Sequence, residues 1–229
     1  MRHPRRRPYS LGGSDLAIVI PALNEVETIG AVVEVARGYG MVIVVDDGST
    51  DGTGAVAEAA GAFILRHNTS QGYEPSLGDG CAAAENSGAS AVVTMDADGE
   101  HDPALLAVFR DLLLQEKVPL VLGVRPSRPR FAEALMGLVF RWRYGITDAL
   151  CGMKGYSMEL YRENLGFDHV KGVGTELAVQ SIRRGAGFRE IPISGRRRAD
   201  MPRYGRAIRA NIRIIRALIR VMRLDPSRT

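Results

Sequence analysis

Short apolar runs alternate with stretches whose apolar residues recur at helical spacing, and the alternation holds from residue 15 to residue 124. The first run, 15–20 (DLAIVI), is β-branched and halts at Pro21, so it predicts a buried parallel strand. In 24–37, Ile29, Val32, Val33 and Ala36 share one helical face, with Asn24 as the expected N-cap. The same reading gives strands at 41–45, 62–65, 91–95 and 120–123. It gives helices at 53–60, 76–87 and from Asp102-Pro103 to about 117. This strand–helix alternation predicts an α/β fold with a doubly wound, mostly parallel sheet and helices on both faces.

After residue 124 the pattern is less regular. A Pro/Arg loop (125–130) leads to an apolar helix at 131–144, then a turn and strand within 148–157. A helix at 175–184, a strand at 188–193 and a very basic loop at 194–205 follow. From 206 to 223, Arg206, Arg209, Arg213, Arg216, Arg220 and Arg223 form one stripe, with Ile208, Ile212, Ile215, Ile219 and Met222 largely opposite. This predicts a C-terminal basic amphipathic helix. It reads either as a docking helix with a solvated face or as an interfacial helix with arginines toward headgroups.

Composition narrows the class. The 229 residues suffice for one sizeable core or two small ones, and 45% hydrophobic content is ordinary for a globular chain. No apolar run reaches the roughly 18 residues that span a bilayer. The basic, Pro/Gly-rich start is not followed by a signal-type apolar segment and reads as a disordered tail. Two distant cysteines, Cys81 and Cys151, argue against a disulfide framework and for a reducing cytoplasm. A net charge of +4 and a pI near 9.3 favour anionic partners. Nucleic acid is disfavoured, because Tyr204 is the only aromatic beside the basic C-terminal segment and stacking platforms need more.

The candidate chemistry lies where apolar runs end. The run at 91–95 spills into Asp96, Asp98 and Glu100. Two carboxylates one residue apart after a strand can hold Mg²⁺ or Mn²⁺, with water and phosphate completing the shell. Asp102 belongs instead to helix capping, being followed by a first-turn proline, and His101 reads as a turn residue. Asp46 and Asp47 close the second strand, as turn formers or as acceptors for a base or ribose. The first strand is followed by Pro-Ala-Leu-Asn-Glu rather than G-x-G-x-x-G, which disfavours a dinucleotide-binding dehydrogenase.

Four motifs in order, IVIPALNE, VIVVDDGSTDGT, MDADGEHDP and DALCGMKGY, resemble the family-2 glycosyltransferases of the GT-A fold. Within these the chain is most similar to dolichol-phosphate mannose synthases and bacterial polyprenyl-phosphate sugar transferases, over residues 15–206. The resemblance implies that Pro21, Leu23, Glu25, Val45 and Asp47 line the nucleoside pocket. Asp96, Ala97 and Asp98 would be the D-x-D element touching ribose and metal, with Asp96, Asp98 and Glu100 as metal ligands. Glu100 stands where the family usually has Gln. Arg125 would lie near the donor and acceptor phosphates, and Asp148 beside the acceptor. Arg197 and Arg203 would belong to a late loop that closes over the phosphates. Residues 71–78 replace the family's usual short Gly-rich segment, which alters the expected sugar-facing pocket. The implied division is a tail at 1–14, a domain at 15–205 and the helix within 206–229. The domain would comprise a nucleotide-binding half (15–124) and an acceptor half (125–205).

The implied reaction is a single inverting displacement that moves a hexose from a GDP- or UDP-sugar, with Asp98, Asp148 and Arg125 at the chemistry. A polyprenyl-phosphate acceptor is already an anion and needs cations, for which Arg125, Arg130 and Arg197 are placed. A hydroxyl acceptor would need a carboxylate base, Asp148 or Glu176. The first acceptor implies a peripheral enzyme at the cytoplasmic membrane face, held to the membrane surface or to a membrane partner by the last helix. A catalytically silent nucleotide-sugar-binding or membrane scaffold is the reading from another class.

Overall fold

The computed structural model describes residues 14–126, 131–164 and 174–193. The basic tail before Ser14, Arg130, Arg197, Arg203, the basic loop and the last helix lie outside the described residues.

The strands are β1 (Leu16–Ala22), β2 (Met41–Asp46), β3 (Phe63–Arg66), β4 (Ala91–Thr94), β5 (Leu120–Val124), β6 (Lys154–Ser157) and β7 (Phe188–Pro192). They form one sheet in the order β3-β2-β1-β4-β6-β5-β7. All neighbours pair parallel except β6, which runs antiparallel to both β4 and β5. The expected mostly parallel, doubly wound sheet is therefore present. Strand β6, from the second half of the chain, sits between two strands of the first.

Every residue of β1 is buried, as a strand covered on both faces requires. Its alternate side chains feed two cores. Leu16, Ile18 and Ile20 pack with Ile29, Val32 and Val33 of α1 (Ile29–Ala36), with Ala57 of α2 (Thr53–Ala59) and with Leu106 and Phe109 of α4 (Leu106–Arg110). Ala17 and Val19 pack on the other face with Leu77 and Cys81 of α3 (Tyr73–Asn86), Phe140 of α5 (Phe131–Tyr144) and Leu177 of α7 (Thr175–Arg183). Each fully buried Leu, Ile or Phe contributes about 1.5–3 kcal/mol. Gly80 permits the approach of α3, since a Cβ there would meet Val19 Cγ1 at 2.3 Å.

Several elements differ from expectation for local reasons. Strand β1 continues through Pro21 to Ala22. The β4 ladder ends at Val19↔Thr94, and the Met95 amide donates to Val19, so the donorless side of Pro21 faces a position past that pairing. Asn24 is not an N-cap. It has a φ of 52°, its amide donates to Ser49 Oγ (3.0 Å), and its Oδ1 accepts from the Thr50 amide (2.9 Å). A turn at Glu25 intervenes, and α1 begins only at Ile29. The expected helix after Asp102 is a 3-10 turn, then α4, then a π turn (Asp111–Gln115). The wide turn keeps both Leu112 and Leu113 inside, and Lys117 ends it at a φ of 57°. Asp102 is the cap that its sequence predicts, accepting from the Ala104 amide. A further helix, α6 (Met158–Glu163), follows β6 directly, with Ser157 as the last strand residue and the N-cap.

Candidate active site

The C-terminal edges of the parallel strands, with the N-terminal end of antiparallel β6, bring the polar residues together, as open α/β sheets do. At the end of β1 the amides of Asn24, Glu25 and Val26 donate to Ser49 Oγ, Thr53 Oγ1 and Asp51 Oδ2. The first two motifs are thus the two halves of one docked pair of loops. Pro21 and Val45 are buried and adjacent in register, while Leu23 and Glu25 sit partly exposed above them.

Asp46 pairs with Arg66 (3.3 Å) and caps the turn through the Ser49 amide (2.9 Å). Asp47 is 4% exposed and accepts four hydrogen bonds. They come from His67 Nδ1 (2.7 Å), Ser70 Oγ (2.7 Å) and the amides of Gln71 (2.7 Å) and Gly72 (2.9 Å). Burial pushes the Asp47 carboxyl up, but these donors outweigh it and hold the pKa below the ordinary value. In this structure Asp47 fastens the β3–α3 loop, and its four acceptor positions are filled from within the protein.

That loop delivers Tyr73, the first residue of α3, whose hydroxyl donates to Asp96 Oδ1 at 2.7 Å. Burial and the nearby Asp96 charge raise the Tyr73 pKa well above its ordinary value, so it stays a donor. The other side of Asp96 lies against Gly152, where a Cβ would be 2.2 Å from Oδ2. The D-x-D loop is tied to α1 by Thr28 Oγ1, which donates to the Ala97 carbonyl (2.8 Å). Asp98 Oδ1 accepts from the Glu100 amide (3.0 Å), and both side chains are partly exposed.

The third cluster joins β5 to the turn before β6. Arg125 grips Asp148 with Nε on Oδ2 (2.7 Å) and Nη2 on Oδ1 (2.9 Å), and its amide adds a third bond (3.2 Å). The Leu150 amide also donates to Asp148, which is 3% exposed. Burial raises the Asp148 carboxyl, but the Arg125 bonds prevail and hold it below the usual carboxylate range. A carboxylate so bound is a weaker base than a free one, and in this structure Asp148 anchors Arg125. Beside it Lys154 is 1% exposed, and its ammonium donates to the Cys151 carbonyl. Burial lowers its pKa, against the pull of Cys151, Asp148, Glu74 and Asp96. Glu176 is buried at the start of α7 and accepts from Gln180 Nε2 (2.9 Å).

Among the described residues no three His, Cys, Asp or Glu converge to hold a metal. The expected centre of Asp96, Asp98 and Glu100 is thus not preformed as a three-carboxylate cluster, and Asp96 Oδ1 accepts from Tyr73. Asp98 and Glu100 still offer hard oxygen donors two residues apart, which fits an Mg²⁺ or Mn²⁺ that takes most of its shell from water and phosphate. Sequence reasoning missed His67, Tyr73 and Lys154. His67 directly follows β3, and Lys154 lies within the quoted DALCGMKGY motif, so position at a strand end was the available signal.

The sheet order, with β6 antiparallel to its neighbours, and the carboxylate-lined edge define a GT-A type fold. A solved structure of glucosyl-3-phosphoglycerate synthase from Mycobacterium tuberculosis, in complex with Mn²⁺, UDP and phosphoglyceric acid, superposes with a TM-score of 0.73. It is 21% identical and covers 93% of this chain and 80% of its own. An uncharacterized protein of Methanocaldococcus jannaschii is 28% identical over 215 residues, covering 84% of this chain and 86% of that protein. The undecaprenyl-phosphate mannosyltransferase of Micrococcus luteus is 28% identical over 199 residues, covering 77% and 81%. Residues 17–165 match the family described as Glycosyl transferase family 2. The chain belongs to that family and is a glycosyltransferase.

Proposed function

We propose that the enzyme moves a hexose from a nucleoside diphosphate sugar to a polyprenyl phosphate in one inverting displacement. The observation that carries this reading is the Arg125–Asp148 clamp. It leaves the acceptor side with a fixed guanidinium and without a basic Asp148, which suits an acceptor that is already an anion. The phosphate oxygen attacks the anomeric carbon as the bond to the diphosphate breaks, and the nucleoside diphosphate departs. Pro21, Leu23, Glu25, Val45 and the Asp96–Ala97 backbone line the donor pocket, and Asp47 shapes it by holding the β3–α3 loop. A divalent cation, held by Asp98 and Glu100, would offset the charge that develops on the leaving diphosphate. Arg125 orients the phosphate oxygens of the acceptor. Arg130, Arg197 and Arg203, outside the described residues, are assigned to the same phosphates.

A peripheral position at the cytoplasmic face of the membrane accompanies this reading. Among the described residues no helix is long and apolar enough to cross a membrane. On α5, Leu138 and Trp142 are 66% and 85% exposed, and Arg141 and Arg143 flank Trp142 in the last turn. An exposed apolar pair beside cations supports contact with an anionic bilayer. The similarity to an undecaprenyl-phosphate mannosyltransferase supports the same acceptor class.

The test is transfer from UDP- and GDP-sugars, with Mn²⁺ or Mg²⁺, to polyprenyl phosphate and to hydroxyl acceptors side by side. Transfer to the lipid phosphate, abolished in a folded Asp98→Ala variant, is the expected result. Transfer to hydroxyls alone would overturn the acceptor, and undiminished turnover by Asp98→Ala would overturn the metal site.

A further inference from the structure

His67 occupies an unusual position for a residue outside the motifs. Its side chain is 8% exposed, with Nδ1 2.7 Å from Asp47 Oδ1 and Nε2 3.0 Å from Asp79 Oδ2. An ionised carboxylate only accepts hydrogen bonds, and a neutral imidazole has a single N–H. Both contacts are hydrogen bonds only when both ring nitrogens are protonated, so the geometry describes an imidazolium between two carboxylates. The charges facing it are Asp47 from the end of β2 and Asp79 from α3; Arg66, next in the chain, is engaged by Asp46.

What this bridge holds matters for the site. Asp47 also receives the Gln71 and Gly72 amides, and one residue later Tyr73 begins α3 and donates to Asp96. Asp79 lies on the same helix, so His67 ties both the loop and α3 to the sheet edge. Resting on the nucleotide-sugar reading above, we infer that His67 is a positioning residue: its charged ring sets the β3–α3 loop so that Tyr73 presents Asp96 to the donor nucleoside. It touches no substrate and acts through Asp47 and Tyr73. Proton loss from His67 leaves one carboxylate contact without a hydrogen and slackens the loop, so donor affinity falls as pH rises. Burial lowers the His67 pKa, but Asp47 and Asp79 outweigh it and raise the net value, which keeps the ring charged to higher pH than an ordinary histidine.

The experiment is a pH series of UDP and GDP titrations on the full chain, with ¹⁵N spectra of the His67 ring. At neutral pH both ring nitrogens should show imidazolium shifts. Nucleotide affinity should fall about fivefold as the ring titrates, the loss of roughly one hydrogen bond. His67→Gln should bind at the weaker level with that step removed. Asp79→Asn, at a half-exposed site away from the donor, should move the step to lower pH by removing one of the ring's two anions. A neutral ring at pH 7, or an unchanged step in His67→Gln, would overturn the inference. Failure of UDP and GDP to bind at any pH, with the ring still doubly protonated, would overturn the nucleotide reading itself and reduce His67 to a structural latch.

Discussion

Replacing Gly152 with alanine is a small change aimed at one carboxylate. The added methyl would lie 2.2 Å from Asp96 Oδ2 and 2.6 Å from Oδ1. Ordinary contact begins at 3.4 Å, so Asp96 must retreat by about 1.2 Å, the difference between 3.4 and 2.2. The Tyr73 hydroxyl is 2.7 Å from Oδ1, and a retreat of that size breaks the bond. A hydrogen bond to a charged acceptor contributes about 1.5–3 kcal/mol, so to the extent that this bond positions Asp96 its loss should weaken donor affinity by at most roughly 10- to 150-fold. Stability should suffer less, by about 1 kcal/mol, because the Asp96 side chain is 30% exposed and can turn to water. Calorimetric titration with UDP and GDP, alongside a thermal melt, separates the two effects. Tyr73→Phe removes the same bond without the clash and should show the lower end of the range. The double variant should lose less than the sum of the singles, since both act through one contact. Wild-type nucleotide affinity in a folded Gly152→Ala, or strict additivity with Tyr73→Phe, would refute the role given to Asp96.

Two other variants probe the proposed acceptor side. Asp148→Asn removes one partner of the Arg125 clamp and should cost about 2–3 kcal/mol, below the full range for a buried pair because the Arg125 side chain is 26% exposed. The Asp148 pKa is held below its unfolded value, so the contribution is complete above the ordinary carboxylate pKa and disappears as pH falls through the depressed folded value. Urea melts over a pH series should show the gap between wild type and Asp148→Asn closing in acid; a gap independent of pH would count against the clamp. Leu138→Ser combined with Trp142→Ser should weaken sedimentation with anionic vesicles roughly tenfold and leave the melting temperature nearly unchanged. Equal vesicle binding by this variant would remove α5 from the membrane surface.

The first half of the fold was legible because its signals are local. Burial on both faces makes β1 a continuous apolar run, and Asp102-Pro103 carries its own cap chemistry. The insertion of β6 between β4 and β5 was not legible, because Thr94↔Lys154 and Leu122↔Lys154 pair residues far apart in the chain. Asn24 misled for a related reason. Its type suits a cap, but the loop after β2 offered Ser49 and Thr50 as partners, and only the parallel register of β1 and β2 brings them near. In the site, the carboxylates were legible as strand-end residues, whereas their partners were not.

Those partners decide what each carboxylate can do. Asp47, Asp96 and Asp148 looked alike in sequence, three acidic residues after or between strands. In the fold Asp47 is closed by His67 and two amides, Asp96 is held on one oxygen by Tyr73, and Asp148 is locked to Arg125. Among these three, only Asp96 keeps a side chain appreciably open to solvent, at 30% against 5% for Asp47 and 2% for Asp148. The proposed ligand contact therefore centres on Asp96 and the adjoining Asp98–Glu100 turn, with the other two carboxylates setting the loops around it. The segment at 71–78 supplies the hydroxyl that orients Asp96. A change in that segment should therefore alter donor recognition before it alters the fold, because it acts on the one carboxylate of the three that still faces outward.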